Sequence, residues 1–297
     1  MKTSHTKIRL KFPMALVLVL LLISWRSAFC ADYNSLLPKA DSGDAAAQFE
    51  VGRALLLGQG VSRDEKKAFE WFSKAAEQDH AESIAGLAVI YREGRIVAKD
   101  EERARALFER AAEGGSLMAA YNLGIMFMNG VGGRTDCSRG RRLMEKAAEV
   151  DFKSSRRDLA LAYYHSAMEL QDSSSYQRAY FWAEKAASNG DPQAQNLLGV
   201  LYQHGKGIGQ DNNKAALWYE RSARQGNAKA QANLGDLYAL GKGVKTDAIQ
   251  ALMWFYLSAD QNEVTAINSL ADYEKGRSVT EKATARKLAD SFAVKAE

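Results

Sequence analysis

The segment from Leu201 to Gly226 is followed, 36 residues later, by a near copy of itself from Leu237 to Asn262. When one insertion of three residues is allowed, the same period runs through most of the chain and places large apolar residues at Trp71, Leu107, Leu143, Trp182, Trp218 and Trp254. A period of about 20–50 residues indicates a repeat protein, in which one copy cannot bury its apolar face and stacked copies share a core.

Each copy predicts two helices, A and B. Seven residues before the apolar lattice stand residues that cap helix N-termini, which places the start of each B helix at Asp64, Asp100, Asp136, Ser175, Asp211 and Asp247. Eight residues after the lattice stand residues that tolerate the left-handed conformation ending a helix: Asp79, Gly115, Asp151, Gly190, Gly226 and Asn262. The middle of each A helix holds a small residue, which predicts close packing against a neighbouring helix: Gly52, Ala88, Gly124, Ala160, Gly199 and Gly235. Glycine-rich turns join most A helices to their B helices.

The fifth copy shows the complete pattern, with Ala194, Leu198, Gly199, Tyr202, Gly205, Gly207, Ile208, Asp211, Lys214, Ala215, Trp218, Tyr219, Ala223 and Gly226. This pattern resembles the Sel-1-like repeat family, which is related to the tetratricopeptide repeats. The resemblance implies an all-α fold, a right-handed α-solenoid of helix-turn-helix repeats whose A helices line a concave surface. It also implies that this surface binds other proteins, without implying one particular partner.

The resemblance covers residues 47–265 in six copies: 47–82, 83–118, 119–154, 155–193, 194–229 and 230–265. Residues 31–46 are expected to form an N-terminal capping helix, and residues 266–297 to form C-terminal capping helices. The C-terminal segment contains a capping box, in which Ser278 and Glu281 satisfy each other's backbone amides.

Residues 1–30 have the pattern of a secretory signal peptide: a basic start, the apolar run Met14–Ile23, and small residues before a cleavage site at Ala31. An uncleaved anchor is the alternative, but this run is shorter than the roughly 20 residues that span a bilayer. A lipoprotein modified at Cys30 is disfavoured by the bulky Phe29. We therefore expect a periplasmic or secreted bacterial protein with no stable membrane span after cleavage.

Removal of this leader changes the charge balance. The chain has 40 basic and 36 acidic residues, and residues 1–30 hold five basic and no acidic ones, which leaves 35 and 36. The excess of basic residues therefore belongs to the leader and does not indicate a nucleic-acid partner, and we expect none. Of the two cysteines, only Cys137 remains, so the exported chain has no internal disulfide and is stabilised by packing.

The tetratricopeptide-like arrangement implies which A-helix positions face the concave groove. These positions hold the candidate partner-binding residues Arg53, Arg92, Tyr121, Ile125, Met128, Arg157, Leu161, Tyr164, His165, Val200, Gln203 and His204, and the sixth copy adds Asp236. Apolar and aromatic residues on a surface that faces water indicate an interaction patch. The alternative for Tyr121 is packing, because the family often keeps an aromatic residue there.

The fourth copy departs from the pattern. It lacks the glycine turn and carries three extra residues, which are either neutral drift or a protruding loop near Ser173–Ser175 that a partner contacts. His165 and His204 occupy equivalent positions of neighbouring A helices. They are either an accidental pair of surface residues, or a pair that weakens binding below about pH 6 or binds a metal.

The sequence gives little support for catalysis. It contains no G-x-S-x-G, H-E-x-x-H or C-x-x-C motif. Cys137 follows a helix cap and lies near several arginines, and both features favour a reactive thiol. The alternative is a tolerated surface cysteine. We predict no enzyme activity, no cofactor, no metal site and no catalytic residue.

The sequence therefore predicts an exported, non-enzymatic scaffold or regulator that binds one or more proteins in its groove. One alternative is an inhibitor or immunity protein directed against a toxic envelope effector. The other is an envelope protein that acts on peptidoglycan or binds glycans.

Overall fold

The computed structural model describes residues 33–150 and 153–296, and every regular element in these ranges is helical. The chain divides into two compact units, Met1–Phe152 and Lys153–Glu297. The first unit contains α1 (Tyr33–Asp41), α2 (Ala45–Leu57), α3 (Glu65–Ala76), α4 (Ala81–Glu93), α5 (Glu101–Glu113), α6 (Leu117–Asn129) and α7 (Cys137–Glu149). The second contains α8 (Lys153–Leu170), α9 (Ser173–Ser188), α10 (Pro192–His204), α11 (Asn212–Arg224), α12 (Ala228–Leu240), α13 (Ala248–Ala259), α14 (Val264–Tyr273), a short 3-10 helix (Glu274–Gly276) and α15 (Val279–Ala296). The predicted leader and Asp151 lie outside the described residues.

The helices form A–B pairs, which confirms the predicted all-α repeat fold. The A helices are α2, α4, α6, α8, α10 and α12, and each packs against the B helix that follows it. Within each unit, each B helix also contacts the A helix of the next pair. None of the described helices is long and apolar enough to cross a membrane.

Outside the fourth copy, the predicted boundaries of the B helices are confirmed where the structure describes them. In α11, for example, the side chain of Asp211 accepts a hydrogen bond from the backbone N of Lys214 at 3.0 Å. The left-handed residues after the B helices include Asp79 with φ 58° and Asn262 with φ 62°, two of the few non-glycine residues in this conformation. At the C-terminus, the Ser278–Glu281 capping box begins α15: the backbone N of Ser278 donates to Oε2 of Glu281 at 2.8 Å.

The fourth pair differs from the other copies, and the cap of its B helix differs from the prediction. Helix α8 has 18 residues, so it is longer than the 13-residue A helices on either side. Helix α9 is capped by Asp172 rather than Ser175, because the Asp172 carboxylate accepts from the backbone N of Ser174 and of Ser175. The extra residues therefore extend the helices, and Ser173–Ser175 form the first turn of α9 instead of a protruding loop.

Each A helix lies against its B helix at the predicted small residue. A Cβ atom added to Gly199 would lie 2.4 Å from Cδ1 of Tyr219, and one added to Gly235 would lie 2.7 Å from Cδ1 of Phe255. Glycine therefore lets the ring of the B helix approach the A-helix backbone. This buried column is one residue after the tryptophan lattice and holds Phe72, Phe108, Met144, Ala183, Tyr219 and Phe255, all 2% exposed or less.

Trp218, the anchor of the sequence pattern, is only partly buried, whereas its neighbour Tyr219 is fully buried. Neighbouring residues of a helix point about 100° apart. Both the tryptophan lattice and the column one residue after it are apolar, so the repeat period alone does not decide which of the two faces the core. The largest core residue of this pair is thus Tyr219.

Candidate functional site

The predicted groove residues of the first unit are largely part of its core. Tyr121 is 2% exposed, Ile125 is 6% and Arg92 is 8%. These three side chains therefore offer little surface to a partner and do not belong to the candidate surface. The Met128 side chain packs on α7, where a Cβ atom added to Gly140 would lie 2.6 Å from its Cγ.

Arg92 has a structural role within this unit. Its Nη1 donates a hydrogen bond to Oδ1 of the buried Asn122 at 2.9 Å, which joins α4 to α6. Burial lowers the pKa of Arg92, while the nearby Glu93 and Tyr121 oppose that shift. Arg53, by contrast, is partly exposed and pairs within its own helix, its Nε donating to Glu50 at 2.9 Å.

In the second unit the predicted residues are more accessible. Leu161, Tyr164, Val200 and Gln203 are partly buried, and His204 is exposed. They lie on α8 and α10, and α10 contacts both α8 and α12. We define the α8–α10–α12 face as Leu161, Tyr164, His165, Val200, Gln203, His204, Lys206 and Asp236. Arg157, earlier on α8, instead forms an ion pair with Asp158, its Nε lying 2.7 Å from Oδ1.

The Tyr219 hydroxyl lies beneath the middle of this face. It comes from the B helix α11 and donates a hydrogen bond to Oε1 of Gln203 on α10 at 2.7 Å. Burial raises the pKa of Tyr219, and Tyr164 and Asp236 raise it further by their electrostatic effect. One buried phenol is thus hydrogen-bonded to α10 and lies within electrostatic range of Tyr164 on α8 and Asp236 on α12.

Aromatic rings form the α8 edge of the face. Tyr164 meets Tyr176 edge-to-face, with 5.8 Å between ring centroids, and Lys206 Nζ donates to the Tyr176 hydroxyl at 3.0 Å. Burial raises the pKa of Tyr164, Lys206 opposes the shift, and Tyr176 adds to it. Sequence reasoning missed Lys206, because it treated the Gly205–Gly207 turn only as a reversal of the backbone. The available signal was the long cationic side chain of Lys206 between Gly205 and Gly207, in a turn that follows the aromatic residues of α8 and α9 in the sequence.

The two histidines of this face have separate surroundings. Nδ1 of His165 lies 2.7 Å from the carbonyl oxygen of Leu161, which can only accept, so this nitrogen carries the proton. Burial lowers the pKa of His204, and Lys206 and Lys242 lower it further. The imidazole of His204 therefore gains its charge at a lower pH than an unperturbed histidine. In the described part of the chain, no group of three or more His, Cys, Asp or Glu residues is arranged to bind a metal ion.

The arrangement suits binding of a polypeptide. It combines aromatic surface, amide and hydroxyl groups, Lys206 at one edge and a carboxylate at Asp236, and aromatic residues are enriched in protein-binding surfaces. Cys137 lies in the first unit, at the start of α7, and its thiol is free and exposed.

Comparison with known proteins identifies the repeat. A family model described as Sel1 repeat matches residues 45–80, 81–116, 117–151, 154–191, 192–227 and 228–263. The crystal structure of a Sel1 repeat protein from Oxalobacter formigenes is similar, at 28% identity and a TM-score of 0.62, covering 86% of this chain and 74% of that one. No curated protein matches this chain.

Two further crystal structures are more distant. A protective antigen present in uropathogenic Escherichia coli strains, with an SLR fold, is 24% identical, with a TM-score of 0.43 over 93% of this chain and 75% of that one. An immunity protein from Pseudomonas aeruginosa is 21% identical, with a TM-score of 0.38 over 74% of this chain and 84% of that one. At these TM-scores neither structure contributes to the functional argument.

Proposed function

Since the chain belongs to the Sel1 repeat family, we propose that it is an exported protein-interaction scaffold that binds a partner protein on the α8–α10–α12 face. Sel1 repeat proteins are typically scaffolds of this kind, and the family is generally non-enzymatic. What is specific to this chain is the choice of face, which depends on the side chains of the second unit.

The observation that carries the proposal is the accessibility of side chains that the repeat does not need for its own packing. His165 and His204 share a column with Leu57, Glu93, Asn129 and Leu240 in the other copies, so no common packing contact selects the residue there. Tyr164 and Gln203 are partly exposed, yet their orientation is restrained by Tyr176 and by the Tyr219 hydroxyl. Restrained aromatic and amide groups lose little entropy on binding, which favours a protein partner.

Site-specific crosslinking tests this proposal. A benzophenone amino acid is placed at Tyr164, and in a control variant at Phe181, an exposed aromatic residue of the B helix α9. Illumination in cells that make the protein naturally, followed by mass spectrometry, should identify a partner joined to position 164. Adducts that form only from position 181, or equally from both positions, would contradict the proposed face.

The identity of the crosslinked partner decides between the alternatives. A toxic enzyme would favour an inhibitor or immunity protein, and a regulator or assembly protein would favour a scaffold. Peptidoglycan recovered in place of protein would favour the cell-wall alternative.

The export proposal rests on residues 1–30, which lie outside the described residues. We expect the protein recovered from the cell envelope to begin near Ala31. An N-terminus at Met1, or recovery that requires detergent, would contradict export with cleavage.

A further inference from the structure

Asp236 is an unusual residue for its position in the repeat. It follows Gly235 in the middle of α12, and the same column holds Val89, Ile125, Leu161 and Val200 in the four preceding copies and Arg53 in the first. A carboxylate therefore stands where most copies place an apolar side chain. The side chain is partly buried, and burial raises its pKa.

The described residues provide no partner for this carboxylate. None of them donates a hydrogen bond to Asp236 or forms an ion pair with it, and burial is the sole cause of its pKa shift. The donors nearby are directed elsewhere. Nδ2 of Asn233 donates to Oδ1 of Asn196 at 3.0 Å, and the Tyr219 hydroxyl donates to Gln203.

A partly buried carboxylate without a counter-charge loses part of its hydration without compensation, and this loss destabilises the folded protein. An apolar residue at this position would avoid the cost, as four other copies of the repeat show. A charge that is costly to the free protein is typical of a functional site, where a bound group supplies the missing partner.

The surroundings of Asp236 favour one long cationic side chain. Ala239 lies three residues after it on the same helix face and is partly exposed, so a small side chain borders the carboxylate on that side. Leu240, which is 62% exposed, offers apolar contact for a methylene stem. Lys206 and Lys242 lie close enough to lower the pKa of His204, and their charges disfavour a broadly basic partner surface.

We infer that Asp236 binds a single lysine or arginine side chain of the partner protein, whose methylene stem packs against Leu240. This inference rests on the proposed function and specifies the chemistry of the partner. It assigns to Asp236 the main charge-dependent contact of the α8–α10–α12 face.

Isotope-edited NMR of the protein tests the contact with a defined probe. Nα-acetyl-arginine amide is titrated at low ionic strength, and Nα-acetyl-citrulline amide serves as an uncharged probe of nearly the same shape. The matched control position is Asp272, one period after Asp236, which is exposed and has its own counter-charge, Lys275 Nζ, 2.7 Å from its Oδ1. Asp236→Asn and Asp272→Asn are compared with the unmodified protein.

We expect saturable shifts of the backbone amides of residues 232–240 with the arginine probe and not with the citrulline probe. Asp236→Asn should weaken this binding about tenfold or more, and Asp272→Asn should leave it nearly unchanged. Asp236→Asn should also raise the melting temperature at neutral pH, because it removes a charge that has no partner, whereas Asp272→Asn should not. A separate thermal comparison of this kind reports on the unpaired charge even if the probe binds weakly.

Equal binding of both probes, equal binding by Asp236→Asn and the unmodified protein, or equal losses in the two variants would overturn the inference. A lower melting temperature for Asp236→Asn would overturn it as well, because the carboxylate would then stabilise the free fold. Crosslinking from position 164 is independent of these results, so failure of the arginine contact is distinguishable from failure of the proposed function.

Discussion

At the crossing of α10 and α11, we predict that Gly199→Ala destabilises the protein when Tyr219 is present and stabilises it when Tyr219 is replaced by alanine. Gly199→Ala would place a methyl group 2.4 Å from both Cδ1 and Cε1 of the Tyr219 ring. That ring cannot easily move, because it is fully buried and its hydroxyl is bonded to Gln203. In the fourth copy the same crossing is formed by two buried alanines, Ala160 and Ala183, so small residues on both helices are compatible with the fold.

The expected free energies follow from two opposing effects. Overpacking of a core typically costs about 1–3 kcal/mol, and an approach of 2.4 Å to a ring that cannot easily move places the cost in the upper part of that range, at about 2–3 kcal/mol. Replacing a helical glycine by alanine gains about 1 kcal/mol. Gly199→Ala alone should therefore destabilise the protein by about 1–2 kcal/mol. Tyr219→Ala should cost about 3–5 kcal/mol by leaving a cavity. In the Tyr219→Ala background the clash is absent, so Gly199→Ala should stabilise by up to about 1 kcal/mol, giving an interaction energy of about 2–3 kcal/mol between the two sites.

Urea denaturation followed by circular dichroism at 222 nm measures this cycle with the four proteins. Gly209→Ala is the control, because a Cβ atom there would meet nothing within 4 Å, and it should change stability by less than about 0.5 kcal/mol. A neutral effect of Gly199→Ala in the presence of Tyr219, or the same loss in both backgrounds, would refute the proposed contact between glycine and ring.

Three other predictions concern single residues. Arg92→Ala should lower the free energy of unfolding by about 2–4 kcal/mol in urea denaturation, because it leaves a cavity at a buried site and removes the hydrogen-bond donor to Asn122. Arg53→Ala should lower it by less than about 1 kcal/mol, because Arg53 forms only a partly exposed ion pair. Equal losses in the two variants would contradict the structural role of Arg92. Asp172→Ala should lower the melting temperature more than Ser175→Ala, because Asp172 accepts from the amides of both Ser174 and Ser175; the reverse order would restore Ser175 as the cap. The stability gained by Asp236→Asn at neutral pH should disappear in acid. Burial raises the pKa of Asp236 in the folded protein, so at neutral pH the unfolded chain carries the charged carboxylate at a lower cost than the folded protein does. Below the ordinary Asp pKa of about 3.9 the carboxyl group is protonated in both states, and the difference vanishes. Thermal melts of Asp236→Asn and the unmodified protein between pH 3 and pH 7 measure this, and a gain independent of pH would contradict the buried charge.

The fold followed from the sequence because its signals are local and repeated. A cap such as Asp211 and a left-handed residue such as Asn262 determine where a helix begins and ends, independently of tertiary packing. The core column was assigned to Trp218 rather than Tyr219, because both are large and adjacent, and the period does not give the rotation of the helix about its axis. In the fourth copy, the repeat pattern placed the cap seven residues before Trp182, at Ser175. Asp172 was missed because α9 begins three residues earlier than this pattern predicts.

The site was predicted in part, for a related reason. Equivalent columns have different exposure in the two units: Ile125 is buried, whereas Leu161, from the next copy, is partly exposed. A column gives the direction of a side chain, but its exposure depends on the size of neighbouring side chains, which the repeat pattern leaves free. The Tyr219 hydroxyl and Lys206 had no signal in the groove columns, since one comes from a B helix and the other from a turn.

The departures from the repeat's own packing are not scattered over the second unit. Three other copies place phenylalanine in the column of Tyr219, so packing does not require its hydroxyl, yet this hydroxyl orients Gln203. Most copies place an apolar residue in the column of Asp236, so packing does not require its carboxylate, yet its charge acts on Tyr219. Random drift would distribute such polar substitutions among copies and faces, whereas one of these two lies on the α8–α10–α12 face and the other lies beneath it. Because conflicts with local packing rules are expected where function imposes its own requirement, these two departures add to the accessibility of the side chains as support for the proposed binding surface.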